Sequence, residues 1–103
     1  MIPIFDGHND VLLRLVEAAD DDSRGFLSES DRGHLDLPRA RRGGMVGGFF
    51  AVFVPGPEGA APRCLTLEDG REIEMPAEID RDWALPRAVR MASRLHRIVE
   101  ASR

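Results

Sequence analysis

Apolar residues form two short continuous runs that are typical of buried β-strands. The first run is Ile2–Phe5, and the second is "MVGGFFAVFV", Met45–Val54, which ends at Pro55. Neither run alternates regularly between apolar and polar residues, so we expect strands covered on both faces, as in parallel sheets. The pair Gly47 and Gly48 in the second run predicts a bend or the close approach of another backbone.

Helical spacing of apolar residues predicts two amphipathic helices. Val11–Ala19 carries its apolar residues on one face, and so does Asp82–Arg103, where Pro86 lies in or near the first turn. The segment Asp20–Gly33, which follows the first of these helices, is polar. It predicts a mobile loop around "GFL".

A third, shorter helix is predicted from its end signals. Asp36 is placed to act as an N-cap carboxylate, Pro38 falls in the first turn, and Gly43 and Gly44 close the helix. The basic stretch "RARR", Arg39–Arg42, is interpreted as the solvated face of this helix.

The order of these elements predicts an α/β fold with parallel strands. After a Gly/Pro/Ala linker at Pro55–Pro62, "CLTLEDGREIEM" alternates around Asp69-Gly70, which is a strong hairpin signal. Strands that alternate with helices favour parallel pairing. Two such strands cannot form a sheet that is buried on both faces, so we interpret residues 1–103 as a single incomplete domain with a hairpin-like insertion at 58–79.

Composition narrows the functional class. The chain has 103 residues, 43% hydrophobic and 31% charged, as in soluble globular proteins, and this length suits one small domain. The net charge is −4 and there is no Lys, which argues against nucleic-acid binding. A single cysteine, Cys64, excludes an internal disulfide scaffold. No apolar run has the length of a signal peptide or membrane span, so we expect a cytoplasmic protein without membrane attachment.

Charged residues follow the first predicted strand directly, in "DGHND". Side chains two residues apart in a strand point the same way, roughly 6.5–7 Å apart, so His8 and Asp10 could bind one ion. An imidazole with a carboxylate suits zinc or a similar divalent metal. The alternative is a strand-ending turn, because Asp, Gly and Asn are common turn residues.

The same spacing occurs in His34 and Asp36, but no strand precedes this second pair. There the N-cap role explains Asp36.

The remaining candidates have structural explanations. His96 lies at the edge of the apolar stripe of the last helix and is interpreted as a packing residue. "GGMVGG" lacks the Lys-Ser/Thr ending of a phosphate loop and precedes a strand instead of following one. Cys64 has no His near it in the sequence, so we assign no residue a nucleophilic role.

Two motifs resemble one known family. "IPIFDGHNDVLLRL" and "HLDLPRARRGGMVGGFFAVFVP", together with "LHRIVEAS" in the last helix, are similar to the N-terminal part of the membrane dipeptidase (renal dipeptidase) family of metallopeptidases. The resemblance covers nearly the whole chain and is weakest at Glu58–Ile79. It implies a (β/α)8 TIM-type barrel, of which this chain holds the first two strands, and barrels of this kind need roughly 250 residues.

The resemblance also implies a function and a ligand set. The family hydrolyses dipeptides with water activated between two zinc ions, which implies that His8 and Asp10 are ligands of one zinc. Neighbouring carboxylates commonly orient such ligands, and Asp6 or Asn9 could do so here. The bridging Glu and two further His ligands belong to later strands, so we expect the 103-residue chain alone to be inactive. The alternative is an inactive remnant that associates with itself or with a complementary segment. A different amidohydrolase is disfavoured, because those barrels commonly begin with His-x-His.

Overall fold

Four helices and four short strands make up the described part of the chain. The structure is a computed structural model, and it describes residues 1–18 and 24–103. The elements in chain order are β1 Ile4–Asn9, α1 Val11–Glu17, α2 Arg24–Leu27, α3 Leu37–Arg42, β2 Met45–Phe50, β3 Arg63–Thr66, β4 Glu72–Met75 and α4 Arg81–Ala101. The predicted α/β order is therefore confirmed.

Strands β1 and β2 pair in parallel, as the sequence predicts, but their bounds differ from the prediction. Strand β1 begins at Ile4 rather than Ile2 and continues through His8 to Asn9. It extends because backbone pairing with β2 continues past the apolar run, and side-chain polarity does not limit that pairing. Strand β2 stops at Phe50, short of the predicted Val54.

The register between β1 and β2 shifts twice. Ile4 pairs with Met45 but Phe5 pairs with Gly47, and later Asp6 pairs with Gly48 but Asn9 pairs with Phe50. The second shift places one extra residue on β1, which is the definition of a β-bulge. The two shifts compensate each other, so the strands stay aligned at both ends of the sheet.

The sequence predicts a bend or the close approach of a backbone at the glycine pair, and the structure shows the close approach of side chains instead. A Cβ atom on Gly47 would lie 2.9 Å from the Phe5 ring, and one on Gly48 would lie 3.1 Å from Cβ of Asp6. The missing side chains therefore let β1 side chains lie directly against β2. The Phe5 and Phe49 rings then meet edge to face, with centroids 5.2 Å apart.

The buried core lies among the helices, and the two strands are not covered on both faces as the sequence predicted. Ile4 and Phe5 are 51% and 59% exposed, and Val46 and Phe49 are exposed as well. A sheet of two strands has two free edges and is only partly covered by the helices, so four of its six apolar side chains are exposed and only Met45 and Phe50 are half-buried. The core cluster is Val11, Leu12 and Leu15 of α1, Phe26 of α2, and Met91 and Ile98 of α4.

Two local predictions between α1 and α3 require correction. Helix α1 ends at Glu17, because Ala18 is already extended, and the predicted last residue Ala19 lies outside the described residues. The predicted loop Asp20–Gly33 contains the short helix α2, while residues 20–23 lie outside the described part. Phe26 explains α2, because its buried ring packs against Phe50 with centroids 5.6 Å apart.

The predicted N-cap of α3 is confirmed, and it is buried. Asp36 is 1% exposed and accepts hydrogen bonds from the backbone N–H of Arg39 (2.9 Å) and of Ser30 (3.2 Å). The Arg39 guanidinium Nε donates to the same carboxylate at 2.6 Å. The stretch Arg39–Arg42 is thus not simply a solvated face, since Arg39 holds this carboxylate and Ala40 is buried. Exposed Arg42 pairs with exposed Glu29.

The hairpin and the last helix follow the predictions closely. Strands β3 and β4 pair antiparallel, with Leu65 opposite Ile73, and Gly70 takes a left-handed φ of 81° in the turn. Helix α4 begins at Arg81 with Asp80 as its N-cap, and Pro86 lies in the second turn. No helix of the described residues is both long and apolar enough to cross a membrane.

An indole anchors the start of α4 to the segment after β2. Trp83 Nε1 donates to the carbonyl of Pro55 at 3.1 Å. The Arg87 guanidinium stacks 3.2 Å above the indole ring and donates to the Trp83 carbonyl. These contacts hold the start of α4 against the segment that follows β2.

Gly44 joins α3 to β2 in a conformation that disfavours other residues. Its φ is 83°, and a Cβ there would lie 2.9 Å from the carbonyl oxygen of Ile2. Gly70 has a similar φ of 81° but open space around it. We expect Gly70→Ala to lower the free energy of unfolding by about 1 kcal/mol through backbone strain alone. Gly44→Ala adds a backbone clash to the same strain and is expected to lower it more.

Urea titrations of both alanine variants, followed by circular dichroism, measure this difference. Gly70→Ala is the matched control, because it introduces the same side chain at nearly the same φ. Equal losses in the two variants would contradict the role assigned to the contact between Gly44 and Ile2.

Candidate metal site

His8 and Asp10 meet at the carboxyl end of β1. His8 is the second-last residue of the strand, and Asp10 lies between the strand and α1. The Nε2 atom of His8 lies 3.3 Å from both carboxylate oxygens of Asp10. Both side chains are open to solvent, 65% and 52% exposed. The structure therefore brings together the two side chains that the His-x-Asp spacing predicts.

The separation of these two groups suits a shared metal ion. A tetrahedral zinc ion with bonds of about 2.0–2.2 Å separates neighbouring ligand atoms by roughly 3.3–3.6 Å. The observed 3.3 Å between His8 Nε2 and the Asp10 oxygens falls in that range. An imidazole nitrogen with a carboxylate oxygen is also a donor set that divalent metals of this type prefer.

Two donors do not complete a zinc site. A structural zinc takes four protein ligands and a catalytic zinc usually takes three. Within residues 1–18 and 24–103, no three His, Cys, Asp or Glu side chains lie together as a metal-binding group. Within the described residues, His8 and Asp10 therefore offer two of the three or four protein ligands that a zinc site takes.

Asp6 and Asn9 lie beside His8 and Asp10. Their side-chain hydrogen bonds go to each other and to the backbone, and not to the two candidate ligands. Asn9 Nδ2 donates to Asp6 Oδ2 at 2.8 Å and to the Phe49 carbonyl at 3.4 Å. Asn9 Oδ1 accepts from the backbone N–H of Val11 at 3.3 Å. These bonds join β1, β2 and the start of α1 around the two candidate ligands.

The second His-x-Asp pair is not brought together as a metal site. Asp36 is buried as the α3 cap, whereas His34 is exposed in the loop before it. His34 nevertheless lines a cleft of about 420 Å³ that Asp10 and Arg14 also line. Arg14 Nη2 closes one side by donating to the Leu35 carbonyl at 3.3 Å. No sequence signal predicted this cleft, because it depends on a contact across more than twenty residues.

The weaker candidates stay apart from this site. Cys64 is an exposed free thiol in strand β3. His96 is exposed on α4, so its predicted packing role is wrong. It faces solvent because the buried positions of α4 are Met91, Arg94 and Ile98, which leave its neighbours at the helix surface.

Comparison with known proteins identifies the family. Residues 1–100 match the profile of the membrane dipeptidase family, peptidase family M19. The chain belongs to this family. Two solved structures are similar to it over 99% of its length, both with a TM-score of 0.76. One is dipeptidase AC, an M19 metallopeptidase that is 41% identical. The other is a metallopeptidase from Rhodobacter sphaeroides with a bound phosphinate mimic of the dipeptide L-Ala-D-Ala, and it is 39% identical.

The M19 relatives are much longer than this chain. The chain covers 29% and 30% of the two structural relatives. An uncharacterized protein from the PQQ-III 3′ region of Acinetobacter calcoaceticus is 49% identical over 55 residues, which is 52% of this chain and 18% of that protein. This α/β chain therefore corresponds to less than a third of either structural relative.

Proposed function

We propose that this chain supplies His8 and Asp10 to the zinc centre of a metal-dependent dipeptidase. The observation that carries the proposal is the 3.3 Å approach of His8 Nε2 to both Asp10 oxygens at the carboxyl end of a parallel strand. Catalytic groups of β/α barrels gather at this end of the strands. The membership of the M19 family supports the substrate class, and a dipeptide mimic is bound in one relative.

The complete site requires a (β/α)8 barrel, of which β1 and β2 are the first two strands. The exposed faces and edges of these strands support this proposal, because apolar residues such as Phe5, Val46 and Phe49 would be covered by neighbouring strands and side chains. We propose that the remaining strands carry the bridging Glu and the two His ligands that the family resemblance implies.

The residues of this chain have separable tasks in such a site. His8 and Asp10 hold one ion of the pair, and the strand-to-helix turn fixes the distance between their donor atoms. When bound, the two ions polarise the scissile carbonyl and lower the pKa of the attacking water. A cleft lies beside Asp10, with Arg14 and His34 on its walls. These polar side chains would contact a dipeptide that binds next to the metal.

A hybrid barrel tests the proposal. Residues 1–100 of this chain would replace the matching segment of the Rhodobacter sphaeroides metallopeptidase, to which the chain is 39% identical. We expect the hybrid to bind zinc and to hydrolyse L-Ala-D-Ala, and we expect the 103-residue chain alone to show no turnover. Dipeptide hydrolysis followed by amine release, with zinc measured by atomic emission, provides both readouts.

The alternative function is that of an inactive remnant that associates with itself or with a complementary segment. The exposed apolar strands and the two-donor metal site favour this alternative for the isolated chain. A hybrid that folds like its parent, by circular dichroism and gel filtration, but neither binds zinc nor hydrolyses dipeptide would support the remnant and overturn the dipeptidase proposal.

A further inference from the structure

The bulge at the end of β1 changes the side on which Asn9 lies. In a regular strand, residues three apart point to opposite faces, so Asp6 and Asn9 would be kept apart. The extra residue between their pairing positions reverses this alternation, and Asn9 Nδ2 reaches Asp6 Oδ2 at 2.8 Å. Bulges of this kind re-aim side chains and are common beside active sites.

The Asn9 side chain accepts a hydrogen bond from the first turn of α1, whereas the side chain of the N-cap residue Asp10 accepts none. Asp10 occupies the N-cap position of α1, and an Asp there usually accepts a hydrogen bond from the first turn. The Asp10 side chain makes no such bond. Instead, Asn9 Oδ1 accepts from the backbone N–H of Val11, the first residue of the helix. The Asp10 carboxylate therefore remains available and faces His8.

The orientation of the Asn9 amide depends on Asp6. An ionised carboxylate only accepts hydrogen bonds, so it selects the NH2 end of the amide and directs the oxygen towards Val11. Asp6 itself lies directly against β2. A Cβ atom added at Gly48 would be only 3.1 Å from the Cβ of Asp6. The same NH2 group also reaches the Phe49 carbonyl, which ties the bulge to β2.

We propose that Asn9 is a positioning residue for the metal pair, and that Asp6 orients it. Asn9 holds the first N–H of α1 and fixes the bulge, so that the His8 ring and the Asp10 carboxylate keep the separation a metal ion needs. This inference rests on the proposed ligand role of His8 and Asp10. Neighbours of metal ligands that hold them in place commonly change metal affinity 10–100-fold when they are removed.

Zinc titration of the hybrid barrel, in which the remaining ligands are present, tests the inference without any activity assay. The ring nitrogens of His8 are followed by NMR as zinc is added, and the exposed ring of His96 serves as an internal control. We expect Asn9→Ala to raise the apparent Kd for zinc at His8 at least about 10-fold. Hydrogen exchange of the Val11 N–H should become faster in the same variant, since its acceptor is lost.

Two substitutions of Asp6 separate positioning from general stability. Asp6→Asn keeps an oxygen that can accept from Asn9, so we expect the Kd to remain within a few-fold of the wild-type value. Asp6→Ala removes that acceptor and is expected to weaken zinc binding as Asn9→Ala does. Asp69→Ala removes an equal charge from the exposed hairpin turn and should leave the Kd unchanged. Unfolding midpoints of all variants identify any that fail to fold.

The outcomes distinguish this inference from the proposed function. If His8 in the hybrid barrel does not respond to zinc, the ligand assignment is wrong and the positioning role is overturned with it. If His8 responds and the Asn9→Ala and Asp6→Ala chains bind zinc with the wild-type Kd, the ligand assignment stands and the positioning role is wrong. Equal weakening by Asp6→Ala and Asp69→Ala would also overturn it, because charge alone would explain the effect.

Discussion

Asp36→Ala is expected to lower the free energy of unfolding by about 3 kcal/mol, which is a large part of the stability of a small domain. Asp36 is 1% exposed and holds three groups together: the backbone N–H groups of Ser30 and Arg39 and the Arg39 guanidinium. Its removal leaves these donors without their acceptor and takes the N-cap from α3. The value lies at the low end for a buried pair, because the Arg39 side chain is 29% exposed.

Urea denaturation at neutral pH measures this loss, and Glu29→Gln is its matched control. Glu29 also pairs with an arginine of α3, because its carboxylate lies 2.6 Å from the Arg42 guanidinium. The side chains of Glu29 and Arg42 are both exposed to solvent. Exposed pairs contribute little, so the control should unfold close to the wild-type midpoint. A similar loss in both variants would show that the burial of Asp36 does not determine its contribution.

The same carboxylate makes stability depend on pH. Burial alone would raise the pKa of Asp36, but the hydrogen bonds from Arg39 and Ser30 and the Arg39 charge outweigh burial and lower the pKa below its usual value. A lowered pKa in the folded state means that the contribution is complete above the unfolded-state pKa of about 3.9 and is lost as pH falls through the folded value. Wild-type stability should therefore decline on acidification more steeply than that of Asp36→Ala.

His8→Ala and Asp10→Ala are each expected to reduce zinc binding and dipeptide turnover by at least about 100-fold in the hybrid barrel. Each substitution removes one of the two donor groups that meet at 3.3 Å, and residues that merely support ligands already change affinity by up to about 100-fold. His96→Ala is the control, because it removes an exposed histidine of α4 that lies apart from the site. Zinc content and hydrolysis of L-Ala-D-Ala are measured on the same preparations.

The two substitutions also separate the ligand role from a role in folding. Asp10 makes no cap bond to α1, so its removal should leave the unfolding midpoint of the 103-residue chain nearly unchanged. Wild-type zinc content in the Asp10→Ala hybrid would contradict the ligand assignment. A midpoint lowered as far as that of Asp36→Ala would show that Asp10 is a structural residue.

Local signals in the sequence were sufficient for several elements. The order Asp36, Pro38, Gly43 predicts α3 with its cap, because each of these residues acts on the backbone within one turn of itself. The Asp69-Gly70 hairpin depends in the same way on a local turn conformation that glycine permits. The pairing of β1 with β2 and the convergence of His8 with Asp10 were also predicted, the latter because only two residues separate them.

Other features depend on residues that are distant in the sequence. Helix α2 forms in a polar stretch because Phe26 packs against Phe50, which is distant in the sequence. No local periodicity of apolar residues predicts that contact. Strand β1 extends to Asn9 because β2 offers backbone partners there. The core lies among α1, α2 and α4. It lies there because a two-stranded sheet is too small to cover the apolar faces of these helices.

The α/β order, the cap of α3, the hairpin and the candidate ligands His8 and Asp10 could be predicted from the sequence, because each depends on residues close together in the chain. The bulge that turns Asn9 towards Asp6 could not, since it arises from the register between two separate strands. The structure was also needed to show that the Asn9 side chain, and not that of Asp10, accepts from the first turn of α1. Spacing identifies which side chains could bind a metal, but hydrogen bonds to the neighbouring strand and helix determine whether they are free to do so.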